Sequence, residues 1–580
     1  MLKLKDEPRS RAKIGRGYRG ATSLVALATG LAAGAVAHAA WADPATPTSA
    51  GSAAVVAEAA PAATSHAVDS DAAMPSTYTV DAVNIAIGSN PLERFIKYYA
   101  AEWGQAAPPA DPNAPSATRP GWTPPPQSAP PMPFTDWPYG AATLLGNNRT
   151  ASVDSPLMVA IAPTGLGKAM ANAGIQAYGW VDVGGNLSTS TRKFGNAPAA
   201  YDFNPNKIQL DQAVIYVERT PDTVQTDHVD WGFRVSAIYG TDYRYTTSYG
   251  LASYQLLKKN NTAGYDFPMI YGELYFPQVA DGLMLRVGRF ISVPDIEAQL
   301  APNNYMYSHS MAYTFDNYTN EGIQGTLAVN KNVMLQLGVN VGTESTLWHV
   351  GKKIPNPDPN PLFPESTMLK DPGATPSVTA CARLQSDSGH DAAYFCADAI
   401  NKAVWGYNNL QWYGFTYYHK FNDKFHVSFE AYNTFEDKVP NLNNPTAAAA
   451  IANGGTPFSP QYVPFNAPGG ALCKSATPLT CRSNTYAVLA YWNYQPTPRD
   501  NISLRTEWFD DTVGQRTGTA AVYEDLGIGL QHWLSPQIEL RPEVTYYWAS
   551  KAAFNGDAFA GIPANKKTEA VLSGDIIFHF

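Results

Sequence analysis

The chain has 580 residues, 45% of them apolar, and 40 Lys and Arg against 49 Asp and Glu give it a formal charge of −9. An acidic balance of this kind excludes a nucleic-acid binder, and beyond the first forty residues no apolar run reaches the length of a membrane-spanning helix. The apolar residues, with 33 Tyr and 13 Trp in the chain, must therefore lie in short strands or amphipathic faces.

Residues 1–20 carry Lys3, Lys5, Arg9, Arg11, Lys13, Arg16 and Arg19; an apolar stretch from Ala21 to Ala37 and the small-residue site Ala40-Trp41-Ala42 follow. That order reads as a secretory signal peptide over 1–42; the alternative is an anchor, because the run nears the ~20 residues a span needs. From Asp43 onward 33 basic residues face 47 acidic ones, a charge of −14. Residues 43–138 are rich in Ala and Pro and are expected to be a disordered periplasmic segment. Within it Leu92, Phe95, Ile96 and Tyr99 predict a short helix over 91–103, and the proline-dense stretch 108–138 an extended spacer. Residues 139–173 lead into a region of different texture that starts at 174.

From there the chain alternates. Trp231, Phe233, Val235, Ala237 and Tyr239 oppose Arg234 and Ser236; Ile270, Leu274 and Phe276 oppose Tyr271, Glu273 and Tyr275; Leu335, Leu337 and Val339 oppose Gln336, Gly338 and Asn340. Phe425, Val427, Phe429 and Ala431 oppose His426, Ser428, Glu430 and Tyr432. Ile502, Leu504 and Trp508 oppose Ser503, Arg505 and Glu507, and Ile538, Leu540, Val544 and Tyr546 oppose Glu539, Arg541, Glu543 and Tyr547. The last strand sets Leu572, Gly574, Ile576, Phe578 and Phe580 against Glu569, Ser573, Asp575 and His579. A period of two with one greasy and one polar face is a strand with two environments.

Alternation alone does not separate a soluble sandwich from a membrane barrel, but connection lengths do. Asn330-Lys331-Asn332, Phe421 to Lys424, Pro498-Arg499-Asp500 and Ser535-Pro536-Gln537 are tight turns, whereas Thr343 to Val404 and Asp437 to Ser483 are long. Short turns alternating with long loops predict an all-β, transmembrane, antiparallel up-and-down β-barrel over 174–580. Strand starts fall near residues 175, 207, 230, 267, 282, 312, 333, 405, 425, 485, 501, 521, 537 and 568, about fourteen in all, with twelve to sixteen open. The starts near 312 and 405 have the weakest alternation.

Cys381, Cys396, Cys473 and Cys481 allow three pairings. Each close pair falls within one long polar segment, so local bridges Cys381–Cys396 and Cys473–Cys481 are the economical reading and suit an oxidising envelope; reduced thiols are the alternative. CxxC spacing is absent, so neither a metal site nor a cofactor is expected.

Four segments carry a resemblance: Phe134-Thr135-Asp136-Trp137-Pro138-Tyr139-Gly140; Gly179-Trp180-Val181-Asp182 with Gly184-Gly185-Asn186-Leu187-Ser188; Val287-Gly288-Arg289-Phe290; and Glu297 to His309. With them the chain, over about 134–580, resembles the OmpL-like outer-membrane β-barrel porin family of Gram-negative bacteria. The resemblance implies an outer-membrane location with extracellular long loops and a periplasmic N-terminal segment. It also implies lipid and lipopolysaccharide around the barrel, delivery by the barrel-assembly machinery through the strand ending at Phe580, and a homotrimer. The implied function is passive diffusion of small polar solutes or ions, not catalysis.

Parity puts Arg234, Glu273, Arg286, Glu430, Arg505, Glu507, Asp525, Glu539, Arg541, Glu543, Glu569 and Asp575 on the lumen face, where acidic groups outnumber basic ones and predict a mild preference for cations. Cross-strand pairing that merely holds the wall is the competing reading. By analogy with porins, the segment 294–311 folds inward as a constriction in which Asp295 and Glu297 face Arg286, with Arg289 beside it; an ordinary surface loop is the alternative. Tyr271, Tyr275, Tyr432 and Tyr547 are either a stacking track for sugar rings or wall filler. Two other functions compete. An adhesin would use the disulfide-stapled loops as display, and an outer-membrane hydrolase would need a nucleophile beside a histidine, but His309, His419, His426 and His579 have no GxSxG companion. Thr164-Gly165-Leu166-Gly167-Lys168 lacks both the first Gly and the hydroxyl residue of a phosphate loop. A TonB-dependent transporter would need about 22 strands and a plug.

Overall fold

The computed structural model describes residues 90–94, 145–147, 155–199, 201–248, 251–257, 261–292, 295–349, 353–355, 368–370, 375–405, 409–450, 470–557 and 562–580. The predicted signal peptide and almost all of the predicted linker lie outside these; of the expected helix over 91–103 only 91–94 is described, and it is helical. Immediately before the barrel lie the short helices α1 (Pro156–Ile161) and α2 (Gly165–Asn172). The Thr164 hydroxyl caps α2 by accepting from the Gly167 N–H at 3.0 Å. A Cβ at Gly167 would stand 2.2 Å from the Ile161 carbonyl oxygen, so this Gly-rich stretch is a tight helix start.

The strands are β1 (Gln176–Ser188), β2 (Ile208–Arg219), β3 (Asp230–Gly240), β4 (Gly264–Phe276), β5 (Leu283–Ile291), β6 (Thr319–Asn330), β7 (Val333–Thr343), β8 (Lys353–Pro355), β9 (Met368–Lys370), β10 (Ser377–Gln385), β11 (Asp391–Ile400), β12 (Gln411–Lys420), β13 (Phe425–Pro440), β14 (Thr480–Thr497), β15 (Asp500–Asp511), β16 (Ala521–Ser535), β17 (Ile538–Leu540), β18 (Glu543–Ala549) and β19 (Thr568–His579). β8 and β9 pair only with each other. The rest form one antiparallel circuit: apart from β17 and β18, each pairs with its neighbours in sequence, β7 pairs with β10, and β19 returns to β1. β17 and β18 both lie between β16 and β19. They are two parts of one strand interrupted at Arg541 and Pro542, where proline removes a ladder donor. The barrel therefore has sixteen strands. Its seam is closed by the last residue: the Phe580 N–H donates to the Gly179 carbonyl at 2.9 Å, and the Gly179 N–H donates to the Phe580 carbonyl at 2.8 Å.

Two strands exceed the predicted fourteen, and both come from the segment expected to be one long loop. Thr343 to Val404 contains β10 and β11, and Cys381 lies directly opposite Cys396 on that hairpin. Both expected disulfides form, but only Cys473–Cys481 borders a loop; Cys381–Cys396 ties two wall strands. Of the two weak predictions, the strand expected near 312 starts at Thr319 after a helical turn at Met311–Thr314, and the one near 405 starts at Gln411.

Burial is inverted relative to a water-soluble protein. On β7 Leu337 is 64% and Val339 59% exposed, while Arg505, Asp511 and Glu539 on the inner face are fully buried. Such a greasy exterior is stable against hydrocarbon, with the edges of the barrel strands paired around the circuit. Exposed aromatic residues collect near both strand ends: Trp231, Phe421 and Tyr494 towards the short turns, Tyr239, Tyr265, Tyr413 and Tyr486 towards the long connections. These are the two girdles of a membrane barrel. The connections at one end are short (277–282, 331–332, 386–390, 421–424, 498–499, 536–537, and the longer 220–229), and the other end carries connections as long as 292–318, 344–376 and 441–479.

Candidate functional site

The connection from β5 to β6, residues 292–318, turns into the barrel, where its described residues pack on the inner faces of β1, β2, β13 to β16 and β18. It first holds itself. Asn304 accepts from the Ala298 N–H at 2.7 Å and donates to the Leu300 carbonyl at 3.1 Å. His309 donates through Nε2 to the Ala298 carbonyl at 2.8 Å, and the Ser310 hydroxyl caps the turn Met311–Thr314 by accepting from Tyr313 N–H at 3.0 Å.

An irregular segment inside a protein has backbone donors and acceptors that need partners, and here the wall's charged side chains supply them. Glu430 on β13 accepts from the Ile296 N–H at 2.9 Å, Glu543 on β18 from the Ser308 N–H at 3.0 Å, and Glu507 on β15 from the N–H groups of Met311 (3.0 Å) and Ala312. The arginines take the carbonyls. Arg505 donates to Ser308 O at 2.9 Å, and Arg541 to the carbonyls of Ala301, Asn304 and Met306, the last two at 3.2 Å. Each also pairs with a carboxylate, Arg505 with Asp525 at 3.0 Å and Arg541 with Asp575. Charge-assisted bonds of this type contribute roughly 1.5–3 kcal/mol each.

The wall makes room where its inner parity is glycine. A Cβ at Gly527 or Gly529 of β16 would lie 2.9 Å from the Met306 side chain, and one at Gly184 of β1 would enter the Tyr307 ring at 2.4 Å. Tyr307 in turn donates to Asp211 at 3.0 Å.

The predicted lumen residues all face inward, and the structure sorts them by partner. Arg234 pairs with Glu218 at 2.5 Å and Arg286 with Glu273 at 2.7 Å. Arg289 pairs with Asp266 at 2.9 Å and donates to the Thr246 and Phe267 carbonyls. Glu539 accepts from Gln531 at 2.7 Å and meets His579 at 3.1 Å. Among the described residues no ion pair joins Asp295 or Glu297 to Arg286. Glu297 accepts from Ser310, from the Tyr491 hydroxyl, and stands 3.8 Å from Arg505, while Asp295 groups with Asp316 and Glu430. Arg286, Asp295 and Glu297 border one cavity of about 320 Å³, with Arg234, Arg383, Tyr271, Gln324 and Gln336 among its other lining residues. Arg289 does not line it. The tyrosines predicted as a stacking track are engaged: Arg286 sits 4.6 Å over the Tyr271 ring, Tyr275 donates to Thr223 O, Tyr432 to Ala312 O, and Tyr547 accepts from Arg505.

Arg383 was not singled out from the sequence, because its strand lies in the supposed loop. The signal was present: Val378, Ala380, Ala382 and Leu384 alternate with Thr379, Cys381 and Arg383. Leu145, which precedes the barrel, also borders the cavity and packs with Tyr275, Met284, Ala328 and Met334 near the short turns.

With wall, inward loop and cavity in place, the sequence pattern of the family described as putative beta-barrel porin-2, OmpL-like, matches residues 174–580, the whole barrel. The chain belongs to that family. No curated protein sequence matches it. Among solved structures this porin-family barrel is similar to an anion-selective porin from Comamonas acidovorans (9% identity, TM-score 0.42, covering 70% of this chain and 99% of that one). It is also similar to the outer-membrane channel DcaP of Acinetobacter baumannii (11% identity, TM-score 0.39, 70% and 97%) and to a mutant of the Rh. blastica porin (13% identity, TM-score 0.34, 70% and 100%).

Proposed function

We propose that this chain is an outer-membrane porin through which small hydrophilic solutes diffuse passively, narrowed by the inward connection 292–318. The observation that carries this reading is the cavity bordered both by three wall arginines, Arg234, Arg286 and Arg383, and by Asp295 and Glu297 of the loop. Opposed charges across a low-dielectric gap set up a transverse field that orients dipolar solutes and discriminates among ions. Acidic groups outnumber basic ones on the inner face as a whole, which supports a mild preference for cations. The N-terminal segment lies in the periplasm and the long connections outside the cell, and three barrels associate.

The test is single-channel conductance of folded protein in a planar bilayer, with reversal potential under a salt gradient. Steady cation-leaning steps are expected; Glu297→Gln should reduce the lean and Arg383→Gln should increase it. Barrels that insert and pass no current would overturn the pore.

A further inference from the structure

Residues Asp295 and Asp316 stand near the two ends of the inward loop, and Glu430 stands on β13 behind them. One carboxylate oxygen from each lies within 4.8 Å of the other two. Asp316 is 1% and Glu430 2% exposed. For each of these two, one oxygen is fixed by a backbone donor: Asp316 accepts from Asn317 N–H, and Glu430 from Ile296 N–H at 2.9 Å. Glu430 Oε1 is buried with no hydrogen-bond partner among the described residues, while Asp295 and Asp316 face each other closely enough for a carboxyl–carboxyl hydrogen bond between them. Among the described residues no salt bridge involves any of the three; the arginines nearby are committed elsewhere, Arg516 to the Phe315 carbonyl and Arg505 to Asp525. Asp398, a fourth carboxylate in the neighbourhood, is satisfied by Asn320 at 2.9 Å and by Thr379.

We propose that Asp295, Asp316 and Glu430 bind a hard divalent cation that clamps both ends of the inward loop to β13. Three carboxylates gathered at one place without a cation beside them, one of them with the buried and unpartnered Glu430 Oε1, are costly to bury as anions. Backbone N–H groups orient two of them through their other oxygen, as outer hydrogen bonds orient metal ligands. An all-oxygen donor set suits Ca²⁺ or Mg²⁺, not Zn²⁺ or copper. Ca²⁺ fits better, because Mg²⁺ holds its water and demands regular octahedral geometry. The site does not depend on the pore conducting.

The test uses the full-length folded protein in detergent, stripped with EDTA and titrated calorimetrically with CaCl2 and, separately, MgCl2; the unfolding midpoint is followed with and without each ion. One Ca²⁺ per chain is expected to bind and raise the midpoint. Asp316→Asn and Glu430→Gln should each weaken binding by at least about tenfold, while Asp387→Asn in the exposed β10–β11 turn leaves it unchanged. If Asp316→Asn does not fold, Asp295→Asn, whose carboxylate accepts no backbone N–H among the described residues, gives the same reading. Wild type that takes up neither ion, or the same affinity in the cluster variants, overturns the site: three acids sharing protons then explain the cluster. Because binding is read without current, a chain that binds Ca²⁺ and does not conduct sinks the pore alone, and a conducting chain indifferent to Ca²⁺ sinks the site alone.

Discussion

Glu507 on β15 holds the loop by its backbone, accepting the N–H of Met311 at 3.0 Å on one carboxylate oxygen and that of Ala312 on the other. The wall thus grips main chain, so the loop's side chains are left to shape what faces the cavity.

The variant Glu507→Gln keeps one acceptor and places an amide N–H against a backbone donor. It should cost about 1–3 kcal/mol and loosen the loop while the barrel stays closed. The check is a lower thermal midpoint together with noisier single-channel current; an unchanged trace would show that the loop does not depend on this grip.

Arg541 combines the Asp575 pair with three loop carbonyls. Arg541→Met strands a buried carboxylate and should cost about 3–5 kcal/mol, whereas the double variant Arg541→Met with Asp575→Leu should recover part of that loss. A double-mutant cycle on denaturant midpoints measures it. Arg541→Lys should rescue little, since a single ammonium does not span the planar set of acceptors.

Much of this was readable in the residues. The barrel, its seam at Phe580, the lipid and lumen parities and the inward direction of the loop follow from alternation, turn length and family resemblance. Alternation fails where a strand's apolar face is built of small residues: Ala380 and Ala382 did not register as a lipid face, so β10 and β11 passed for loop and Arg383 was missed. Parity says which way a side chain points but not what meets it. The sequence therefore could not distinguish free lining charges from Glu430, Glu507, Glu543, Arg505 and Arg541, whose partners are main-chain groups of a segment over a hundred positions away.

Gly529 supplies a test of loop seating that leaves the lipid face untouched. Gly529→Leu places a side chain where Met306 lies, with the Cβ alone 2.9 Å from it. The loop must shift, and conductance should change, while heat-modified gel mobility still reports a folded barrel. Overpacking of this kind costs about 1–3 kcal/mol.

The lipid face is tested by Val339→Arg on β7, a residue 59% exposed and outward-facing. In hydrocarbon an arginine at mid-strand costs about 2–4 kcal/mol, whereas on a water-soluble barrel the same change at an exposed site would be close to neutral. Folding titrations into lipid vesicles should therefore show a marked loss for Val339→Arg and little for Asp387→Asn, which lies in the β10–β11 turn outside the wall. Equal stability of the two variants would mean that the apolar exterior of β7 faces something other than lipid, such as the wall of a neighbouring barrel. In that event the arginine variant should also run as a smaller species in native electrophoresis.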